Sequence, residues 1–263
     1  MNDAAYGEFV AFAEGLAETS GEILRRYFRA PFEIDDKPDA SPVTPADREA
    51  ESRMREIIAA TYPEHGVCGE EFAPVRLDAE FVWMIDPLDG TKSFITGKPL
   101  FGTLIGLLHR GRPVVGIIDH PALGERWVGG VGQPTAFNGA RVGVRACVSL
   151  AKAVLYTTTY ETFEGADREA FDRARKAVRL PMYGGDCYAY GLIASGFVDL
   201  IIETDHGPDD FFPLVPVIEN AGGLMTDWSG AALTMESDGR VVAAGDEKVH
   251  AEALALLNGE HAP

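Results

Sequence analysis

The sequence predicts a layered α/β protein, in which an N-terminal half built on an antiparallel sheet packs against a C-terminal half of alternating strands and helices. Three patterns predict it. Phe9, Val10, Phe12, Leu16, Ile23, Leu24 and Tyr27 recur mostly three or four residues apart, which reads as a long amphipathic helix over residues 6–28. In the middle of the chain, apolar runs at 102–108 and 113–118 flank His109-Arg110-Gly111-Arg112, a hairpin signature. Beyond Ser149 the pattern turns to strand and helix in alternation.

Residues 31–45 hold Pro31, Pro38, Pro42 and Pro45 among Asp35, Asp36, Lys37, Asp39 and Ser41, a composition that excludes helix and predicts an exposed loop. A second helix is expected over 46–60, with Met54, Ile57 and Ile58 on one face. The short apolar run at 81–85 is a buried strand that delivers Asp86-Pro87-Leu88-Asp89-Gly90-Thr91, read as a tight turn, to its own end. Further strands are expected at 126–128 and 141–144, across turns that include Asn138-Gly139. In the second half the pattern gives strands at 153–158, 198–203, 224–227 and 241–244, and helices at 167–178, 188–195, 211–221 and 246–257. The expected division is therefore 1–148 and 149–263.

The 263 residues carry 41 acidic side chains against 23 Lys and Arg, a formal charge of −18, with 46% hydrophobic composition. That is enough apolar material for a substantial core, and the field repels nucleic acid and anionic membranes. An anionic substrate would have to be held by local cations, most simply metal ions. Cys68, Cys147 and Cys187 form neither a CxxC pair nor a zinc pattern, which fits a reducing cytoplasm. The chain opens with no basic region leading into an apolar block, and no apolar run approaches the ~20 residues that span a bilayer.

Asp86 and Asp89 stand three apart beyond a strand and can converge on one point, where two anions need a cation; hard oxygen ligands favour magnesium, manganese or calcium. The same residues also make an ordinary solvated turn. Glu70-Glu71 reads as a ligand pair or as surface, Asp210 as a ligand or as the cap of the helix after it, and Asp47 as a site residue or a helix-start residue.

Together, VTPADREAE (43–51), GEE (69–71), WMIDPLDGT (83–91) and Asp210 followed by Glu219-Asn220-Ala221-Gly222-Gly223 resemble the inositol monophosphatase superfamily over nearly the whole chain. The resemblance implies the layered αβαβα fold shared with fructose-1,6-bisphosphatase, a magnesium-dependent phosphomonoesterase, two or three ions per site, and a homodimer. It also implies that Glu70, Asp86 and the Leu88 carbonyl bind one ion and that Asp86, Asp89 and Asp210 bind a second. Counting back from the Gly-Gly pair selects Asp210 over Asp209, and Glu70 is preferred to Glu71. Thr91 with Asp47 resembles the family's water-activating pair, Glu70 shares the base role through a third ion, and the Gly90 and Thr91 amides face phosphate oxygens.

Within the superfamily, DGTKSF (89–94), GKPLFGTLIGLL (97–108), GIIDHPALGERWVG (116–129) and YGGDCYAY (183–190) resemble the bacterial histidinol-phosphatase branch of histidine biosynthesis. There Gly185-Asp186-Cys187 and Glu203 would bind substrate beside Leu88, Asp89, Gly90, Thr91 and Asp210. A carboxylate pair at Asp186 and Glu203 suits the ammonium of histidinol, whereas the alternative is that Asp186 caps the helix that follows it. Other readings are an inositol-1-monophosphatase, a 3′-phosphoadenosine phosphate phosphatase, or a non-catalytic metal- or phosphate-binding subunit. Lys37 and Lys92 are the nearest basic residues.

Overall fold

The structure, a computed structural model, describes residues 3–37 and 42–260, so Pro38, Asp39 and Ser41 of the expected loop lie outside it. In chain order its first half holds α1 (Asp3–Tyr27), β1 (Asp35–Asp36), β2 (Pro42–Val43), α2 (Pro45–Thr61), β3 (Gly66–Gly69), β4 (Phe81–Asp89), α3 (Thr91–Ile95), β5 (Gly102–His109), β6 (Arg112–His120), β7 (Glu125–Gly130), β8 (Gln133–Phe137) and β9 (Ala140–Arg141). The second half holds β10 (Val154–Thr157), α4 (Gly165–Ala177), β11 (Leu180–Tyr183), α5 (Tyr188–Ala194), β12 (Leu200–Glu203), α6 (Pro208–Asn220), β13 (Leu224–Thr226), β14 (Val241–Ala244) and α7 (Glu247–Leu257).

A seven-stranded sheet runs β3-β4-β5-β6-β7-β8-β9, antiparallel except for the parallel β3–β4 pair. A five-stranded sheet runs β11-β10-β12-β14-β13 and is mixed, with β10 parallel to both its neighbours. Alternation along the strands explains the layers. In the large sheet Trp83, Ile85, Ile105 and Ile117 point to one side and bury Phe9, Ala13 and Leu16 of α1 with Met54 and Ile58 of α2. Val82, Met84, Leu104 and Ile118 point to the other side, against Phe211, Leu214 and Ile218 of α6, and this cluster continues into Ile201, Val241 and Ala243 of the small sheet. The far face of the small sheet, Leu155, Leu200, Ile202 and Val242, buries Phe171 of α4 and Val249 and Ala253 of α7. The order is helices, sheet, helices, sheet, helices: the αβαβα arrangement.

The middle layer positions the site. A Cβ at Gly116 or Gly129 would lie 2.0 Å from the Pro213 carbonyl oxygen or 2.4 Å from that of Pro216, so glycine lets α6 lie directly on the large sheet. That contact brings the start of α6 towards the end of β4. It also means that α6, from the second half of the chain, packs on the sheet of the first.

Several elements depart from the sequence expectation. Residues 31–45 are not all loop: β1 and β2 pair antiparallel, Asp35 with Val43 and Asp36 with Pro42. Asp86 to Asp89 is not a free turn but the end of β4, with a register irregularity between the two carboxylates. The strand expected at 141–144 shrinks to β9, while β3, β8 and β11 are additional; each is only four or five residues and carries Gly or Pro, which hides the alternation. Helix α6 begins three residues early, because Pro208 suits the first helical position. Among the described residues no helix is long and apolar enough to cross a membrane.

Candidate active site

Asp86, near the end of β4, is 2% exposed, and its Oδ1 accepts the Leu88 amide at 2.9 Å. Asp89, at the end of the same strand, accepts the Cys187 amide at 2.7 Å. Asp210, in the first turn of α6, accepts the Gly207 amide at 2.7 Å, so its capping role is real but occupies only Oδ2. One oxygen from each of these three carboxylates lies within 4.8 Å of the others. Burial, and then the charges of Glu70, Asp89 and Asp210, push Asp86 well above the usual carboxylate range. Burial and Asp186 push Asp89 up to about 7, and burial followed by Asp209 and Asp89 pushes Asp210 well above its ordinary value. Three desolvated anions repelling one another fit a hard divalent cation, and their all-oxygen donors fit magnesium-type chemistry. Asp209 is not one of the three; burial raises it to about 6.

The start of α2 supplies the next layer. Asp47 is fully buried, and its Oδ2 accepts both the amide and the hydroxyl of Thr44, at 2.9 and 2.6 Å. Its Oδ1 faces the Thr91 hydroxyl at 3.4 Å; the same hydroxyl lies 3.1 Å from the Leu88 carbonyl oxygen. Leu88 itself is fully buried, leaving that carbonyl as its polar contribution. One turn along α2, Glu51 accepts Arg55 Nε and the Glu71 amide, each at 2.7 Å, and so pins the loop after β3. Lys37, just after β1, reaches that loop: its Nζ lies 2.7 Å from Glu70 Oε1 and 2.6 Å from Glu71 Oε1. The side chain of Glu71 is 4% exposed and that of Glu70 34%, so Glu70 is the one that reaches the cavity.

That cavity, of about 240 Å³, is lined by Glu70, Asp89, Gly90, Thr91, Lys92, Asp186, Glu203 and Asp210 among others. Gly90 has φ 81°, a left-handed conformation that turns the chain from β4 into α3. Asp186 does not cap α5: that helix starts without a side-chain cap, and Asp186 Oδ2 instead accepts the Ser93 hydroxyl at 2.8 Å. Both oxygens of Glu203 are engaged, one by the Thr157 hydroxyl at 2.9 Å and one by the Thr158 amide at 2.6 Å, and burial pushes it up to about 8. Three expected substrate residues, Leu88, Gly185 and Cys187, do not line the cavity, and Leu88 is fully buried. Gly185 packs on Tyr156 and Ala189, and Cys187 is buried with its Sγ 3.5 Å from His120 Nε2 while its amide holds Asp89. Cys187 thus supports the site from behind. The sequence reading passed over the clamps made by Glu51 and Lys37 and the wall formed by Thr204, Asp205 and His206. The signal for that wall was a polar run between a strand and a proline-started helix.

Frame and site define a class: an αβαβα protein with a buried carboxylate centre suited to divalent cations. The chain matches the model of the inositol monophosphatase family over residues 6–261 and belongs to that family, whose members are metal-dependent phosphatases. It is 48% identical to the bifunctional phosphatase IMPL2, chloroplastic, of Arabidopsis thaliana, covering 98% of this chain and 77% of that protein. It is 35% identical to the histidinol-phosphatase of Chlorobaculum parvum, covering 93% and 95%. The solved structure of an inositol monophosphatase from Zymomonas mobilis superposes with a TM-score of 0.89 at 45% identity, covering 97% of this chain and 99% of that one.

Proposed function

We propose that the protein hydrolyses a phosphomonoester whose leaving group carries a positive charge, histidinol phosphate first, giving histidinol and phosphate in histidine biosynthesis. The observation that carries this reading is the acidic wall of the cavity, where Asp186 and Glu203 stand apart from the three clustered carboxylates. A neutral polyol would leave Asp186 desolvated with only the Ser93 hydroxyl bonded to it and the charges of Lys98 and Lys92 nearby, whereas an ammonium gives it a direct charge-assisted hydrogen bond. Asp186 is the principal counter-ion; Glu203, its oxygens already engaged and its carboxyl raised to about 8, is secondary. Similarity to proteins named histidinol-phosphatase supports the same choice.

On this reading magnesium, as two or three ions, is held by Glu70, Asp86, Asp89, Asp210 and the Leu88 carbonyl. Such ions lower the pKa of bound water and stabilise charge on the leaving oxygen. The chain's own residues prepare that step. Asp47 spends Oδ2 on its helix cap and keeps Oδ1 for the Thr91 hydroxyl, so the pair orients a water and takes its proton. Glu70 shares this role, and the Gly90 and Thr91 amides meet the phosphate oxygens. Homodimeric assembly in the cytoplasm belongs to the same proposal.

Inositol 1-phosphate is the second reading, favoured by the likeness to the Zymomonas inositol monophosphatase. A kinetic screen of histidinol phosphate, inositol 1-phosphate and 3′-phosphoadenosine 5′-phosphate separates them. We expect kcat/KM for histidinol phosphate to be the highest. In Asp186→Asn the preference for histidinol phosphate over glycerol 2-phosphate should shrink by roughly tenfold to hundredfold, the equivalent of one charged hydrogen bond. Equal losses on both esters would remove the role given to Asp186.

A further inference from the structure

A second cavity, of about 510 Å³, adjoins the catalytic one and shares Thr162, Thr204 and Asp205 with it. Thr204 follows directly on Glu203 at the end of β12. It is 8% exposed, and its Oγ1 is buried with no hydrogen-bond partner among the described residues. Buried hydroxyls are almost always paired, so an unpaired one on the wall of two joined cavities points to a partner that arrives from outside. Asp205 comes next. It is exposed, sits at φ 68°, and makes no ion pair among the described residues. The loop that carries it is held by the His206 amide, which donates to the Gly239 carbonyl at 3.2 Å.

The charge balance of the outer cavity is acidic. The one cation among the described residues that line it, Arg240, is already engaged: Nε and Nη2 lie 2.9 and 2.5 Å from Asp238 Oδ2, and Nη1 lies 3.4 Å from Asp167. Glu161 and Glu164 add to the rim, with Arg168 and Lys92 facing Glu161. A second anionic group on a substrate would be repelled here, whereas an N–H donor would be held.

We propose that Thr204 and Asp205 form an outer subsite for a second nitrogen-bearing group on the leaving alcohol, an N–H donor that is charged or protonatable. Its hydrogen bond to Thr204 Oγ1 completes the buried hydroxyl, and Asp205 supplies the counter-charge. The substrate class is then a phosphomonoester of an alcohol with two nitrogen functions, one on Asp186 and one here; the ammonium and imidazole of histidinol phosphate meet that description. This inference rests on the substrate reading above.

Three probes and three variants test it. Histidinol phosphate carries both nitrogen functions, phosphoethanolamine only the ammonium, and glycerol 2-phosphate neither. In Thr204→Val and Asp205→Asn, kcat/KM on histidinol phosphate should fall about tenfold more than on phosphoethanolamine, through KM, and Thr204→Ser should restore most of it. Thr204→Val should keep its Tm, because the hydroxyl it deletes has no partner to lose. Equal losses on histidinol phosphate and phosphoethanolamine overturn the subsite. If the wild-type enzyme prefers histidinol phosphate and that preference survives both substitutions, the subsite alone falls; if the wild type shows no preference, the substrate reading falls and takes the subsite with it.

Discussion

Asp199, just before β12, and Asp86, near the end of β4, are 1% and 2% exposed, yet the chain treats them in opposite ways. Asp199 receives Arg145 through Nε and Nη2 at 2.7 and 2.6 Å, and the Val154 amide at 2.7 Å. Glu51 has Arg55 and two backbone amides, and Asp119 has Arg126 at 2.7 Å. Asp86, Asp89 and Asp210 instead each hold one backbone amide and otherwise face one another. Asp199, Glu51 and Asp119, each buried and neutralised by the protein's own arginine, serve the fold. Three carboxylates that the protein leaves unneutralised in one place are a site for a cation from solution.

The strongest way to break this comparison is to remove single charges from each set. Asp89→Asn and Asp210→Asn should each lower kcat by several orders of magnitude and leave Tm unchanged or higher, since in the metal-free protein they relieve repulsion. Asp209→Asn, just outside the trio, should cost far less activity. A mild Asp210→Asn beside a severe Asp209→Asn would mean that the distal ligand has been assigned to the wrong residue of the pair.

The converse substitution is smaller and falls on stability. Asp199→Asn places an amide where Arg145 and the Val154 amide both donate, and should cost about 2–3 kcal/mol in urea unfolding while kcat/KM changes little. If it instead lowered turnover as Asp89→Asn does, the division into structural and functional carboxylates would not hold.

The difference between these sets was only partly legible in the sequence. The motifs picked Asp86, Asp89 and Asp210 because they stand at the ends of strong local signals, an apolar strand and an apolar helix, and because the pattern resembles a known family. The partner that silences Asp199 is not local: Arg145 lies 54 residues from it. Glu51 was visible as a member of the VTPADREAE motif, but its grip on the loop at Glu71 depends on α2 lying beside the end of β3, which spacing cannot give. The same limit explains Cys187. Its place in YGGDCYAY suggested substrate contact, whereas tertiary packing turns the thiol towards His120 and leaves only the amide for Asp89. The helices with full turns of apolar spacing were readable to within a few residues, and the short Gly- and Pro-bearing strands were not.

The finest test uses pH on the metal-free protein. Asp89 and Glu71 are raised to about 7, Asp209 to about 6 and Glu203 to about 8, with Asp86 and Asp210 also raised. An acid whose folded pKa exceeds its unfolded value near 4 holds its proton more tightly when folded, so stability rises as pH falls through the folded pKa. His120 and His206, lowered to about 4 by burial, act the other way, because below about 6.5 the unfolded chain takes up protons that the folded one refuses. The acids therefore dominate between pH 8 and about 6.5. In EDTA, stability should increase as pH is lowered across that window, by about 1.4 kcal/mol per pH unit for each net proton taken up. Saturating magnesium keeps its ligands ionised, so it should flatten this slope and raise Tm at pH 8 most of all. Asp89→Asn should flatten the slope without metal. Unfolding curves at pH 6.5 and 8 that respond identically with and without magnesium would mean that the trio does not hold the cation.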